Sequence, residues 1–96
     1  MSLVVESLDF TPSFKAAMAA APPDLHKAAI EALNLLLKNS RARSLRVHAL
    51  KGYSKPTLFK MDVYANHAWQ ITFEMQGTKA ILRRLGTHKA LDRDPR

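Results

Sequence analysis

Cysteine is absent from the 96-residue chain, and glycine occurs only three times. Without thiols, the protein has no disulfide scaffold, no cysteine nucleophile, and no zinc or iron–sulfur site built on thiolates. The phosphate-binding patterns G-x-G-x-x-G and G-x-x-x-x-G-K-[ST] and the nucleophile elbow G-x-S-x-G are also missing. The chain length predicts a single domain over residues 1–96, which must be stabilised by packing of one small core.

Long hydrophobic runs are lacking as well. The longest uninterrupted apolar stretch is Ala16 to Ala21, whereas a membrane span needs roughly 18 residues. The sequence therefore indicates a cytoplasmic protein with no membrane partner. Its four histidines are spaced far apart and include no H-E-x-x-H pair, so we expect neither a metal site nor a cofactor.

Acidic residues are scarce and unevenly placed. Lys and Arg number 15 against 8 Asp and Glu, for a net charge of +7. Residues 1–37 hold two basic and four acidic side chains, a net −2, whereas residues 38–96 hold thirteen basic and four acidic ones, a net +9. Seven bases and no acid lie between positions 38 and 60: Lys38, Arg41, Arg43, Arg46, Lys51, Lys55 and Lys60. This segregation favours a polyanionic substrate or an acidic partner over a merely solvated basic surface.

The N-terminal half predicts a strand followed by two helices. Residues 3–10 form the predicted strand, with Leu3, Val5 and Leu8 as core candidates. Thr11 can cap a helix in which Pro12 occupies the first position, and Pro22-Pro23 ends that helix. A second helix then runs to Lys38, and its buried face is predicted to comprise Leu25, Ala29, Ile30, Leu33, Leu36 and Leu37.

The basic segment 41–56 is predicted to be a surface connector with at most one short strand, around residues 45–48. Residues 58–64 and 68–76 are the clearest strands because apolar and polar residues alternate in both. Pairing Met61 with Ile71 and Val63 with Trp69 leaves residues 65–67 as the turn. This register predicts one solvated polar face, directed away from the helices, that carries Lys60, Asp62, Gln70 and Thr72.

A third strand is predicted over residues 79–86, after a Gly77-Thr78 turn. Arg83 and Arg84 are adjacent, so alternation sends them to opposite faces, and either one can join the polar face. Thr87 can cap a short final turn that begins at His88, with residues 92–96 trailing off. The predicted fold class is α+β: an N-terminal strand, a two-helix hairpin, and three antiparallel strands forming one sheet packed on the helices.

Three residues of this layout are candidates for chemistry, each with a structural alternative. His88 at a helix start can bind phosphate and exchange a proton near neutral pH, or it is simply a polar residue of a terminal turn. Trp69 is a core aromatic or a platform for base stacking. Lys60 is a phosphate anchor or a partner of Asp62 in an ion pair across the polar face.

Several short motifs resemble the RelE/ParE toxin superfamily in their order and spacing. They are Phe10 to Phe14 at the helix start, Leu50-Lys51-Gly52, Ala68-Trp69-Gln70-Ile71-Thr72-Phe73, and Leu85-Gly86-Thr87-His88. The Gly-Thr-His ending is most similar to the YafQ-like branch. The resemblance implies a four-stranded antiparallel sheet against two helices, and a toxin neutralised by an acidic antitoxin. It also implies metal-free cleavage of mRNA in the ribosomal A site, by attack of the ribose 2′-oxygen on the adjacent phosphate.

On this resemblance, His88 is the general acid or base, and Lys60 and Arg84 complete the catalytic set. Trp69 matches a tryptophan that precedes the same strand in the family. Substrate contacts are expected from Trp69, Gln70, Arg83, Arg41, Arg43, Arg46, Lys51 and Lys55, because cationic side chains position a protein on RNA phosphates.

Three features depart from the ribonuclease pattern. Gln70 stands where many members have arginine, Ala68 replaces an acidic residue, and Leu91 and Asp92 replace an aromatic after the final histidine. His67 is a substitute base if its turn faces the site. The departures leave two alternatives open, a ParE-like inhibitor of DNA gyrase without acid–base chemistry, and an inactive basic nucleic-acid-binding domain.

Overall fold

A five-stranded sheet separates two long helices from one short helix in the computed structural model, which describes residues 3–54, 57–64 and 68–95. The elements are β1 (Ser7–Phe10), α1 (Pro12–Ala20), α2 (Pro23–Lys38), a 3₁₀ turn (Arg43–Leu45), β2 (His48–Ser54), β3 (Thr57–Asp62), β4 (Trp69–Gln76), β5 (Lys79–Thr87) and α3 (His88–Arg93). The strand order is β1-β5-β4-β3-β2, with β1 parallel to β5 and the other pairs antiparallel. The predicted α+β class and element order are confirmed.

Two strand predictions were wrong. The sheet gains β2, because residues 48–54 pair with β3 instead of forming a connector. The predicted strand at 45–48 shares only Leu45 with the 3₁₀ turn and only His48 with β2. Gly52, at φ +85°, interrupts the alternation that would have revealed the strand. The N-terminal strand begins at Ser7 and not at Leu3, and the Leu3 carbonyl accepts from Ser40 Oγ at 2.7 Å.

The helix boundaries follow their sequence signals closely. Thr11 Oγ1 accepts from the Phe14 amide at 3.3 Å and donates to the Leu82 carbonyl at 2.7 Å, so the predicted cap also ties α1 to β5. The predicted buried face of α2 was too wide, because Ile30 and Leu37 are 37% and 39% exposed. Ala32, which the prediction omitted, is buried instead.

The core lies between α1, α2 and the sheet. Its largest fully buried side chains include Phe14, Leu33, Leu36, Phe73 and Leu82. Phe59 stacks on Phe73 with ring centroids 5.5 Å apart, which joins β3 to β4 on this face. The helical layer therefore supports the sheet from one side only, and leaves the opposite face for the polar residues.

Strands β3 and β4 have the predicted register, with Met61 opposite Ile71 and Lys60 opposite Thr72. The predicted turn at residues 65–67 lies outside the described residues. Between β4 and β5 the register shifts by one residue after Phe73–Leu82, so that Thr72 faces Arg84. Arg83 is the extra residue of this β-bulge.

The bulge overturns the expectation that Arg83 and Arg84 lie on opposite faces. Arg83 reaches Glu74 at 3.9 Å, and Arg84 reaches Asp94 at 3.5 Å. Alternation along β4 puts Glu74 on the same face as Thr72, the residue opposite Arg84. Both arginines therefore serve the polar face.

Candidate functional site

A row of polar side chains crosses four strands on the sheet face opposite α1 and α2. His48 lies opposite Lys60, Lys60 opposite Thr72, and Thr72 opposite Arg84. Residues directly opposite each other in antiparallel strands share a face, so an imidazole, an ammonium, a hydroxyl and a guanidinium lie side by side. Two members of the predicted catalytic set, Lys60 and Arg84, are thus brought together.

Helix α3 carries the third member, His88, across this row. Thr87 caps the helix as predicted, since its Oγ1 accepts from the Ala90 amide at 3.2 Å, and the His88 amide donates to the Ala68 carbonyl at 3.1 Å. Leu91 is 1% exposed and packs directly on Gly86 of β5. A Cβ on that glycine would lie 3.2 Å from Leu91 Cδ2, so the close approach of α3 to the strand favours glycine.

Asp92 links α3 to the sheet. Its Oδ2 is 3.2 Å from His88 Nδ1, and its Oδ1 is 3.3 Å from Lys60 Nζ. One carboxylate therefore joins two members of the predicted catalytic set. Residues 92–95 were expected to trail away from the domain, and this expectation was wrong because they cross the polar face.

The C-terminal tail, residues 92–95, also covers the end of the row at Thr72 and Arg84. Asp94 contacts the Arg84 guanidinium, and Thr72 Oγ1 donates to the Pro95 carbonyl at 2.6 Å. As a result, the face predicted to be solvated is covered. The residues concerned are Lys60, Asp62, Gln70 and Thr72, at 6%, 1%, 0% and 0% exposure.

Beside this row, Asp62 forms a buried polar cluster. It accepts from Gln70 Nε2 at 2.8 Å and pairs with Arg46 Nε at 2.7 Å. Arg46 adopts a left-handed conformation with φ 46° and ψ 46°, rare for a side chain of this type. Gln70 and Arg46 were both predicted to contact substrate, but in this structure both bind the buried Asp62 carboxylate.

Trp69 lies at the edge of the site. It is half-buried and opposite Thr87, the residue that precedes His88. Alternation along β4 places it on the side of Ile71 and Phe73, which faces the helices. Its proximity to the site therefore comes from its position at the end of the strand, not from a shared face.

The remaining predicted contacts are distant from α3. Arg41 and Arg43 are exposed near the 3₁₀ turn, and Lys51 is exposed on the outer strand β2. Arg43 and Arg46 line a cavity of about 470 Å³ between α2 and the end of β3. Lys55 and His67 lie outside the described residues.

The structure adds two residues that sequence reasoning missed. His48 joins the row through the unexpected strand β2, and its Nδ1 donates to the Arg46 carbonyl at 2.6 Å, which leaves Nε2 free of that bond. No sequence pattern marked it, because its strand is irregular. Asp92 had a usable signal, since residues four apart on a helix are neighbours and His88 precedes it by four.

Within the described ranges, no cluster of three or more His, Asp or Glu side chains has the arrangement of a metal site. None of the helices in those ranges is long and apolar enough to cross a membrane.

The chain matches no protein-family model and no curated protein. Its structure does match solved toxins. The archaeal RelE–RelB complex of Pyrococcus horikoshii aligns over 90% of this chain and 96% of that one, with a TM-score of 0.66 at 11% identity. The DinJ–YafQ toxin–antitoxin complex of E. coli aligns over 88% and 93%, with a TM-score of 0.63 at 19% identity.

The RelB–RelE antitoxin–toxin complex of Methanococcus jannaschii gives a TM-score of 0.62 at 21% identity, over 88% of this chain and 95% of that one. In each case the match spans nearly the whole of both chains. The chain therefore has the fold of the RelE-like toxins, as its sequence motifs predicted.

Proposed function

We propose that the protein is the toxin of a toxin–antitoxin pair and that it acts as a ribosome-dependent mRNA endoribonuclease. The observation that carries the proposal is the convergence of His88, Lys60 and Arg84 on one sheet face. Cleavage of RNA by its own 2′-hydroxyl needs a proton acceptor, a proton donor and cations beside the phosphate. Each of these functions is available on this face.

The reaction transfers one proton to the protein and one from it. A side-chain base takes the proton of the 2′-hydroxyl, O2′ bonds to phosphorus, and the bond from phosphorus to O5′ breaks. O5′ then takes a proton from a side-chain acid, which leaves a 2′,3′-cyclic phosphate and a 5′-hydroxyl. Among the described residues, His88 and His48 are the imidazoles on this face, and we assign them as the acid–base pair.

Cations stabilise the charge that develops on the phosphate oxygens. Arg84 is exposed enough to contact a bound phosphate, and its guanidinium can offer two parallel N–H groups. The Lys60 ammonium belongs to the same row and is nearly buried, so water screens its charge poorly. Trp69, at the end of β4, is the aromatic available to stack on a nucleobase.

An acidic antitoxin is part of the proposal. The three related complexes named above each pair the toxin with an antitoxin. This chain has a net charge of +7, and its exposed basic side chains Arg41, Arg43 and Lys51 favour a negatively charged segment. A small acidic reading frame beside this one in the genome, whose product binds the purified protein, would support the pairing.

The test of the enzyme assignment is induction of the protein without its antitoxin, followed by mapping of mRNA ends. We expect growth arrest and cleavage within ribosome-bound messages. His88→Ala should lower the cleavage rate about 10²- to 10⁴-fold, the usual contribution of one acid–base group. His26→Ala is the matched control, because His26 lies on α2, in the layer on the other side of the sheet, where its Nδ1 is 3.1 Å from the Met18 carbonyl oxygen.

Equal cleavage by the His88→Ala variant would refute the catalytic assignment. Growth arrest without mRNA cleavage, together with inhibition of DNA supercoiling by purified gyrase, would assign the gyrase-inhibitor function instead. Absence of toxicity at high expression would leave an inactive nucleic-acid-binding domain.

A further inference from the structure

Asp92 is the acidic residue whose two oxygens contact two different members of the candidate catalytic set. Oδ2 faces His88 Nδ1 at 3.2 Å, and Oδ1 faces Lys60 Nζ at 3.3 Å. His88 lies on α3, four residues before Asp92, whereas Lys60 lies on β3, so the second contact joins the helix to the sheet. A carboxylate with this bridging geometry controls the orientation of both partners at once.

Local packing holds Asp92 in this position. The preceding residue, Leu91, is buried against Gly86, and the Thr87 side chain fixes the start of α3. Lys60 projects from the middle of the sheet, where its side chain is only 8% exposed. The bridge therefore joins a nearly buried ammonium to a carboxylate and an imidazole that are 53% and 54% exposed, and that stand on a helix fixed to the sheet by Leu91.

The bridge determines which nitrogen of His88 carries the proton. An ionised carboxylate only accepts hydrogen bonds, so His88 Nδ1 must donate and Nε2 is left with its lone pair. The ammonium of Lys60 has three N–H groups, of which one is used by Asp92. Two remain to support a phosphate oxygen beside the imidazole.

We propose that Asp92 is a positioning residue, which holds His88 in the Nδ1–H tautomer and directs Nε2 and the Lys60 ammonium toward the scissile phosphate. This inference rests on the ribonuclease function proposed above. The same contacts also fit an inhibitory role, in which the Asp92 carboxylate occupies the place of a substrate phosphate. The two roles predict opposite effects of neutralising Asp92.

Asp92→Asn separates them, because Lys60 dictates how the new amide is oriented. The ammonium can only donate, so the amide oxygen turns to Lys60 and the amide NH₂ turns to His88. The amide then donates to Nδ1, which forces the imidazole into the Nε2–H tautomer and removes the free lone pair from Nε2. The substitution preserves the shape of the side chain, reverses the hydrogen bond to His88 and removes the negative charge beside Lys60, and the tautomer of His88 reports the first of these two changes.

The first measurement is the single-turnover cleavage rate of ribosome-bound mRNA. We expect Asp92→Asn to lower the rate constant about 10- to 100-fold, the usual effect of losing a residue that orients a working histidine, with less than about a threefold change in apparent KM. Asp92→Glu should recover part of the loss, because it restores the accepting carboxylate. Asp24→Asn, in the first turn of α2, is the matched control and should leave the rate unchanged.

The second measurement does not depend on RNA. Imidazole ¹⁵N spectra at a pH where His88 is neutral should show the Nδ1–H tautomer in the parent and the Nε2–H tautomer in Asp92→Asn. Thermal unfolding should confirm that both proteins are folded. A purely structural role of Asp92 would not invert the tautomer.

An unchanged or increased cleavage rate in Asp92→Asn would overturn the positioning role, and an increase would assign the inhibitory one. An unchanged tautomer would overturn it as well. If the parent protein cleaves no mRNA, the ribonuclease function itself fails and the positioning role fails with it. That outcome is distinguishable from failure of the positioning role alone, in which the parent cleaves mRNA but Asp92→Asn does not show the expected change.

Discussion

The docking of α3 on the sheet depends on one buried leucine, so Leu91→Ala should release the whole C-terminal segment. Leu91 is 1% exposed, and the change removes three carbon atoms from the interface with β5. At about 0.8 kcal/mol per buried carbon, the loss is about 2 to 3 kcal/mol. Because α3 has only six residues, we expect it to separate locally from the sheet before the domain unfolds.

Hydrogen exchange measures this directly. The amides of His88 and Asp94 donate to the Ala68 and Ala90 carbonyls, so they report the docking and the integrity of α3. A loss of 2 to 3 kcal/mol should accelerate their exchange roughly 30- to 100-fold, since about 1.4 kcal/mol corresponds to a factor of ten. Leu37→Ala is the matched control, because Leu37 is 39% exposed at the end of α2.

Equal exchange in the two variants would refute the reasoning, and so would a global loss of stability without faster exchange in α3. A double-mutant cycle sharpens the test. Gly86→Ala alone should destabilise the interface, since its Cβ would lie 3.2 Å from Leu91 Cδ2 and 3.4 Å from Cγ. In the Leu91→Ala background those atoms are gone, so the penalty of the glycine substitution should vanish.

Paired substitutions at three further positions test the framework, each by urea unfolding. Arg46→Ala should lower the free energy of unfolding by about 1 to 2 kcal/mol, because buried Asp62 loses a 2.7 Å ion pair. Arg46→Gly should lower it by about 1 kcal/mol less, because glycine tolerates φ 46°. Equal losses in the two variants would contradict the strain argument. Gly77→Ala should cost about 1 kcal/mol through backbone strain alone, since φ is +62° and its Cβ would meet open space, so Gly77→Asn should cost less. Thr11→Ala should cost about 1 to 2 kcal/mol, because it removes the bonds to Phe14 and Leu82, and Thr11→Ser should retain most of the stability.

Local signals were sufficient to predict the helices and the central hairpin. Thr11 and Thr87 cap their helices as predicted, because a capping side chain acts on amides within its own turn. Met61 opposite Ile71 followed from alternation, because one face of each strand is buried against the helices.

The features that the sequence did not reveal depend on contacts between distant segments. Strand β2 has no clear alternation, and it forms because residues 48–54 pair with β3. The β-bulge at Arg83 is equally invisible, since the two-residue turn at Gly77 sets a register that holds only as far as Phe73 and Leu82. Both errors concerned where a strand is paired, which short-range patterns do not encode.

The candidate site was also predicted only in part, since its members carry local signals but its covering segment depends on contacts between distant residues. Lys60, Arg84 and His88 were selected from the sequence, and the structure brings them to one face. The segment that covers all three was not predicted, because a short terminal helix followed by a second aspartate has the composition of a solvated tail. Asp92 acquires its importance only when Leu91 fixes α3 over the sheet.

The structure also changes how the positive charge should be understood. The four acidic residues of positions 38–96 lie on or beside the polar face, where Asp62 pairs with Arg46, Glu74 with Arg83, Asp92 with Lys60 and His88, and Asp94 with Arg84. The cations of the candidate site are therefore internally compensated, whereas Arg41, Arg43 and Lys51 are exposed and form no ion pair with any other described residue.

A polyanion can thus be attracted first to the uncompensated charges around the 3₁₀ turn and β2, because long-range attraction depends on net charge. On the ribonuclease function proposed above, binding at the polar face is a different process, in which phosphate oxygens are expected to replace the Asp94 carboxylate beside Arg84. Exchange of one anion for another contributes little net electrostatic energy, so this step favours a ligand that is correctly placed over one that is merely charged. We therefore expect the carboxylates of residues 92–95 to make the proposed site selective for an RNA already positioned by contacts elsewhere, such as those within a ribosome.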